Sequence, residues 1–172
     1  PNPNKDVLYD EFNQLAMEAE PGAGETYINL LNQTEIEYEK VALSSSPQNV
    51  CRALMEGIVF QTSQRVKRVA ELTGTNTGKL IFTGGPTKSK IWSTILADVL
   101  NREISIPVNG EYAGAMGAVN LGGIGCGIYE DEQSGFEMLK QEVRVIAPDA
   151  GRSKKYEEIQ TRFFEQTIKL SN

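Results

Sequence analysis

The stretch from Lys79 to Pro107 constrains the fold of this chain more than any other. Lys79-Leu80-Ile81-Phe82-Thr83 reads as a short buried strand that runs into Gly84-Gly85. A helical period follows at about 89–101, with Ile91, Trp92, Ile95, Leu96, Val99 and Leu100 turned inward. Glu103-Ile104-Ser105-Ile106-Pro107 is the next strand. Strand, helix, strand in that order demands parallel pairing through a right-handed crossover, and so an α/β class. The expected centre is therefore a parallel βαβ core with flanking helices.

The flanking helices follow from the same periodicity. Leu8, Phe12, Leu15, Ala16 and Ala19 share one face over residues 6–19, and Pro21-Gly22 ends that helix. Tyr27-Ile28-Asn29-Leu30-Leu31 has the pattern of a short strand. Residues 1–46 as a whole read as an irregular lead-in. Ser46 then caps a long helix at about 48–73, with Pro47 in its first turn. Val50, Ala53, Leu54, Gly57, Ile58, Gln61, Val66, Val69 and Ala70 trace its expected buried stripe, and Gly74 through Gly78 ends it. Residues 112–126 are rich in Ala and Gly, which predicts a helix packed very closely on its neighbours. Helices are expected at 131–141 and at 153–170, the latter with Tyr156, Ile159, Phe163, Thr167 and Leu170 on one face. Strands are few for so many helices, as in a half-sheet that takes partner strands from elsewhere.

Composition narrows the chemistry. The 172 residues carry 17 basic and 23 acidic side chains, a net charge of −6, which argues against nucleic acid or an anionic membrane as partner. No apolar run is long enough to cross a bilayer, and Pro-Asn-Pro-Asn-Lys-Asp opens the chain with no apolar signal segment and no initiator Met. A piece of a longer cytoplasmic protein is the expectation. The chain has no His, which excludes a Ser-His-Asp triad, a Cys-His pair and a His-ligated zinc within it. Cys51 and Cys126 match no metal spacing and read as two reduced, buried thiols. No metal ligand set is expected. Asn32-Gln33-Thr34 is a chance glycosylation sequon.

The turn Gly84-Gly85-Pro86-Thr87-Lys88-Ser89 is where ligand chemistry fits. Glycines let a backbone approach a ligand with no Cβ in the way. The helix start that follows offers unpaired N–H groups to an anion, and ligands of open α/β sheets lie beyond the carboxyl ends of strands. A plain strand-to-helix turn would use the same glycines, and spacing alone favours that reading. The turn is not a P-loop, since no Gly-Lys-Ser/Thr run follows four spacers. Gly122 through Gly127 lacks dinucleotide-fold spacing and reads as close packing at a helix C-terminus.

Several segments together resemble the FGGY carbohydrate kinases. Asn49-Val50-Cys51-Arg52-Ala53-Leu54-Met55-Glu56-Gly57 is similar to that family's second signature. Gly84 through Ser89, with Trp92 and Ile95-Leu96-Ala97-Asp98-Val99-Leu100, resembles its Gly-Gly-Gly-Ala-Lys-Ser segment. Glu111 through Ala118, Gly125 through Tyr129, and Ala147-Pro148-Asp149 with Tyr156 resemble later segments in the family's order, over about residues 47–160. Pro86 stands where many members have a third Gly. The Gly-Glu-Arg segment upstream, the phosphate-binding hairpin and the N-terminal domain are missing.

The resemblance implies an actin/hexokinase-like, ribonuclease-H-type ATPase fold, with residues 1–172 as part of the C-terminal, nucleotide-side domain of a two-domain kinase. It implies ATP and Mg2+ as cofactors, a sugar, sugar acid or polyol as substrate, and the kinase's own N-terminal domain as partner, with room for a homodimer. Gly84 and Gly85 would approach the nucleotide phosphates, Ser89 the adenine, and Lys88 would lie beside the nucleotide, unless it is a solvated charge. Glu56 fits an ion pair at least as well as a ligand contact, and Gly117 fits helix packing. The catalytic aspartate would lie in the N-terminal domain, so no catalytic residue is assigned here. Two other readings stand beside this one: a non-kinase ATP-binding domain of the actin or heat-shock type, against which the Arg52–Gly57 signature speaks, and an interaction domain without a ligand, which ATP affinity would exclude.

Overall fold

The computed structural model describes residues 5–28, 44–74, 79–139 and 142–170. In chain order they form α1 (Lys5–Glu18), α2 (Pro47–Thr73), β1 (Leu80–Ile81), α3 (Lys90–Leu100), β2 (Ile104–Pro107), α4 (Ala113–Gly125), α5 (Glu132–Leu139), β3 (Val143–Ile146) and α6 (Ala150–Leu170). Short 3-10 turns lie at Ala23–Glu25, Gly85–Lys88 and Gly110–Tyr112.

The sheet order is β1-β2-β3. β1 and β2 are parallel, with Leu80 opposite Ile104 and Ile81 opposite Ser105, and α3 joins them as the sequence pattern demands. β1 is shorter than its apolar run, although the Phe82 N–H still donates to the Ser105 carbonyl at 2.9 Å. β3 was not legible. It pairs antiparallel with β2, Ile104 opposite Ile146, and makes the sheet mixed. Val143 and Val145 are more than half exposed, so burial does not mark this strand.

The core lies between the sheet and α1, α2, α3 and α6. Ile104 and Ile106 of β2 face Ile95, Leu96 and Ala97 of α3, and Met55, Val59 and Phe60 of α2 meet Tyr156, Ile159 and Phe163 of α6. Phe60 and Phe163 meet edge to face at 5.1 Å between centroids, an arrangement favoured by the ring quadrupoles. Ser46 caps α2 by accepting the Asn49 N–H, Pro47 occupies its first turn, and Gly74 (φ 63°) ends it. The helix expected over residues 6–19 is α1, Lys5–Glu18. It buries Ala16 in the core, although Leu8 at its start is exposed.

The buried face of α2 differs from the apolar stripe. Ala53 and Gly57 are buried as expected, but so are Arg52, Glu56 and Ser63, while Val69 is exposed because the last turns run past the core. Arg52 Nε pairs with Glu56 Oε1 at 2.8 Å. Its Nη1 donates to the Ala16 and Ala19 carbonyls at the end of α1, and its Nη2 to the Tyr156 hydroxyl at 2.8 Å. That hydroxyl donates to Glu56 Oε1 at 2.8 Å, and the Gly22 N–H donates to the same carboxylate. A buried ion pair survives only when its other donors and acceptors are largely filled, and here four of the five Arg52 N–H groups and both Glu56 oxygens have partners. Glu56 therefore joins helices inside the domain and is not turned toward a ligand.

Three further expectations fail. Among the described residues α4 is not closely packed: Gly123, against Tyr129, is its buried residue, and Gly117 has open space where a Cβ would stand. Small residues permit a close approach but do not supply the neighbour. Cys126 is exposed just beyond α4, whereas Cys51 packs against the core. Of the strand expected at 27–31, residues 27 and 28 are in no strand. Residues 29–31 and the sequon at Asn32 lie outside the described residues, as do the side chains of Thr167 and Leu170.

Candidate functional site

The glycine turn follows β1 and leads into α3. Gly84 has φ 95° and ψ 178°, a backbone region that is essentially confined to glycine. Its N–H donates to the Gly110 carbonyl at 2.9 Å, and its carbonyl accepts from the Thr87 N–H and hydroxyl at 3.1 and 2.7 Å. Gly84 thus shapes the turn, and its own N–H is committed. Gly85 differs. Its φ is outside the left-handed region, and nothing lies within 4 Å of where its Cβ would stand. As the first residue of the 3-10 turn, its N–H has no intrahelical acceptor. Pro86 has no N–H, so among the residues opening this turn Gly85 carries the backbone donor available to an outside oxygen.

Ser89 is 2% exposed and serves two structures at once. Its N–H closes the 3-10 turn on the Pro86 carbonyl at 3.0 Å. Its hydroxyl caps α3 by accepting the Trp92 N–H at 3.2 Å and donates to Asn13 Oδ1 on α1 at 2.6 Å. The hydroxyl proton is spent inside the protein. Lys88 is more than half exposed, with Nζ 4.0 Å from Glu111 Oε1 and 6.0 Å from the centre of the Tyr112 ring. At that exposure the loose pair contributes little energy and leaves the ammonium able to turn toward an anion.

Beside the turn a cavity of about 360 Å³ opens between the sheet and α4. Ile81, Thr83, Gly110, Met116, Gly117 and Phe136 are among its lining residues, so its walls are mostly apolar. Asn120 also lines it, and its Oδ1 is buried without a hydrogen-bond partner.

Residues 5–126 match the family model described as the C-terminal domain of the FGGY family of carbohydrate kinases. The chain belongs to that family. It is 32% identical over 112 residues to an autoinducer-2 kinase of Yersinia pestis, covering 65% of this chain and 21% of that protein. It is 33% identical over 107 residues to the Escherichia coli K12 protein of the same name, covering 62% of this chain and 20% of that one. The chain thus spans about a fifth of the length of these relatives.

The FGGY fold is visible in solved structures as well. A xylulose kinase from Rhodospirillum rubrum superposes with a TM-score of 0.68 at 21% identity, covering 98% of this chain and 35% of that one. A Plasmodium falciparum glycerol kinase with ADP gives 0.64 at 21% identity, covering 96% and 35%. The fold class is thereby that of the FGGY sugar kinases, and the family match takes in α1 as part of the domain.

Within this FGGY domain the structure brings Gly84, Gly85, Lys88 and Ser89 into one turn and gives them different tasks. Sequence reasoning missed two residues that hold it. Asn13 reaches it from α1, 76 positions away, and Arg144 of β3 donates from Nη2 to the Thr87 carbonyl at 3.2 Å. Neither sits in a motif. Arg144 carried a weak signal, an isolated cation between apolar residues.

Proposed function

We propose that this chain is the nucleotide-side portion of an ATP-dependent carbohydrate kinase, acting in a longer polypeptide on a sugar, sugar acid or polyol hydroxyl. The observation that supports it most directly is Gly85, a donor with no intrahelical acceptor and clear space in front, held by the special backbone of Gly84. A phosphate oxygen is the kind of acceptor such a donor takes, with Lys88 as the neighbouring positive charge. Xylulose and autoinducer-2, the substrates in the names of the similar kinases, are candidates of this kind, and the determinants that choose among them would lie outside this chain.

In this reading phosphoryl transfer is mostly positioning and charge stabilisation. Gly85 and Lys88 orient the nucleotide, and a carboxylate of the N-terminal domain takes the proton of the acceptor hydroxyl. Magnesium would come with the nucleotide, as in phosphoryl transfer generally. The N-terminal domain is the proposed partner of the surface where Leu121 of α4 and Phe136 of α5, both more than half exposed, line one shallow depression. Among the described residues no helix is long and apolar enough to cross a membrane, and a cytoplasmic enzyme, with a homodimer as one assembly, fits this reading.

The test is nucleotide titration of the chain by calorimetry, with Trp92, the sole tryptophan and a residue of the first turn of α3, as a fluorescent reporter. Saturable binding of ATP or ADP is expected. No binding to this chain or to a longer kinase that contains it would leave an interaction domain as the better reading.

A further inference from the structure

We propose that Asn13 is a positioning residue for the nucleotide turn: through Ser89 it fixes where the 3-10 turn ends and α3 begins. The inference rests on the nucleotide reading of the turn given above. Asn13 lies on α1, far from the turn in sequence, and its amide is held by two bonds of opposite kind. Nδ2 donates to the Tyr9 carbonyl at 2.8 Å, which leaves Oδ1 pointing at Ser89, 2.6 Å from its hydroxyl. Oδ1 accepts only, so Ser89 is the donor. That fixes the hydroxyl rotor and aims an oxygen lone pair at the Trp92 N–H.

Ser89 is the joint between two elements, because its N–H closes the turn on Pro86 and its oxygen starts α3. A shift of the Ser89 side chain therefore moves the backbone that carries Gly85 and Lys88. The other end of the linkage is firm. Arg52 binds the Ala16 and Ala19 carbonyls of α1 and is itself held by Glu56 and the Tyr156 hydroxyl. α1 thus carries the rigidity of the α2–α6 core to the turn, and Asn13 is the side chain that delivers it.

The test uses the intact kinase that carries this chain, with Asn13→Ala, Ser89→Ala and the double variant. Alanine keeps α1 helical and adds no bulk at a half-buried position. Asn13→Ala should raise KM for ATP about fivefold or more, with KM for the sugar within twofold. The double variant should match Ser89→Ala alone, since both act through one bond. Asn13→Asp keeps the acceptor for Ser89 but loses the donor to the Tyr9 carbonyl, so its KM for ATP should fall between those of Asn13→Ala and wild type. Additive effects in the double variant, equal losses for ATP and sugar, or an unchanged KM for ATP would each overturn the role of Asn13. Gly85→Val separates this from failure of the site: if it raises KM for ATP while Asn13→Ala does not, the site stands and the positioning role falls. If neither variant moves KM for ATP, the nucleotide reading falls with it.

Discussion

The hydroxyl of Tyr156 lies 2.8 Å from Glu56 Oε1, a hundred positions away in sequence, and accepts from Arg52 Nη2 at the same distance. One phenol thereby ties α6 to α2 and, through Arg52, to the end of α1. Tyr156→Phe leaves the buried Arg52 and Glu56 each one partner short. Hydrogen bonds to buried charges are worth about 1.5–3 kcal/mol each, so the unfolding free energy from urea titration at neutral pH should fall by at least that much.

The same bond predicts a pH dependence. Burial, with the Glu56 charge beside it, pushes the Tyr156 phenol above its ordinary value of 10.0. A raised folded pKa means that the unfolded chain loses the proton first as pH rises. The stability that this tyrosine contributes is complete below about pH 10 and declines above it. The stability gap between wild type and Tyr156→Phe, followed by urea unfolding, should narrow above pH 10. A gap that stays constant would show that the phenol titrates normally.

Gly57 is required by contact, not by conformation. A Cβ there would lie 2.0 Å from the Ile28 carbonyl oxygen. Overpacking against backbone costs about 1–3 kcal/mol. That outweighs the gain of roughly 1 kcal/mol from replacing glycine within a helix. Gly57→Ala should lower the denaturation midpoint, and an unchanged or higher midpoint would show that the 28 segment yields freely.

The two glycines of the turn should respond differently. Gly84→Ala forces a side chain into a glycine-only backbone region and should cost roughly 1–3 kcal/mol. Gly85→Ala meets open space at an ordinary φ and should leave the melting temperature unchanged. Thermal melts of both variants decide it; equal losses would mean that Gly85 is also structural.

The parts of the fold readable in sequence are those where one local rule suffices. Ser46 with Pro47 announces α2, and the apolar runs at 80–83 and 103–107 around an amphipathic helix announce the parallel pair. β3 escaped because its alternation, Val143-Arg144-Val145, is very short and both valines are exposed. Arg52 and Glu56 were legible as part of a signature, but their burial was not, because their partners Ala16, Ala19, Gly22 and Tyr156 come from distant segments. The packing of α4 was misjudged because Ala and Gly define a surface others can approach without supplying the neighbour. At the site, the Gly84-Gly85 turn was visible, but the division of labour was not. That Gly84 spends its N–H on Gly110 and Ser89 its proton on Asn13 depends on residues brought together only by folding.

The chain by itself should show no sugar-dependent ATP consumption, because the reading puts the catalytic carboxylate and the sugar pocket in the N-terminal domain. A coupled assay with pentoses, hexonates and polyols checks this. Turnover above that of contaminating kinases would contradict the division between the two domains.

The most direct measurement is the steady-state kinetics of Gly85→Val in the intact kinase, with thermal melting beside it. Gly85 has an ordinary φ and open space, so the variant should fold and melt as wild type does. The branched side chain would occupy the space that a phosphate needs. Loss of one or two charge-assisted contacts costs on the order of 1.5–3 kcal/mol each. KM for ATP should therefore rise roughly tenfold or more, while KM for the sugar changes much less. An unchanged KM for ATP in a stably folded Gly85→Val enzyme would show that the turn is structural and that the nucleotide lies elsewhere.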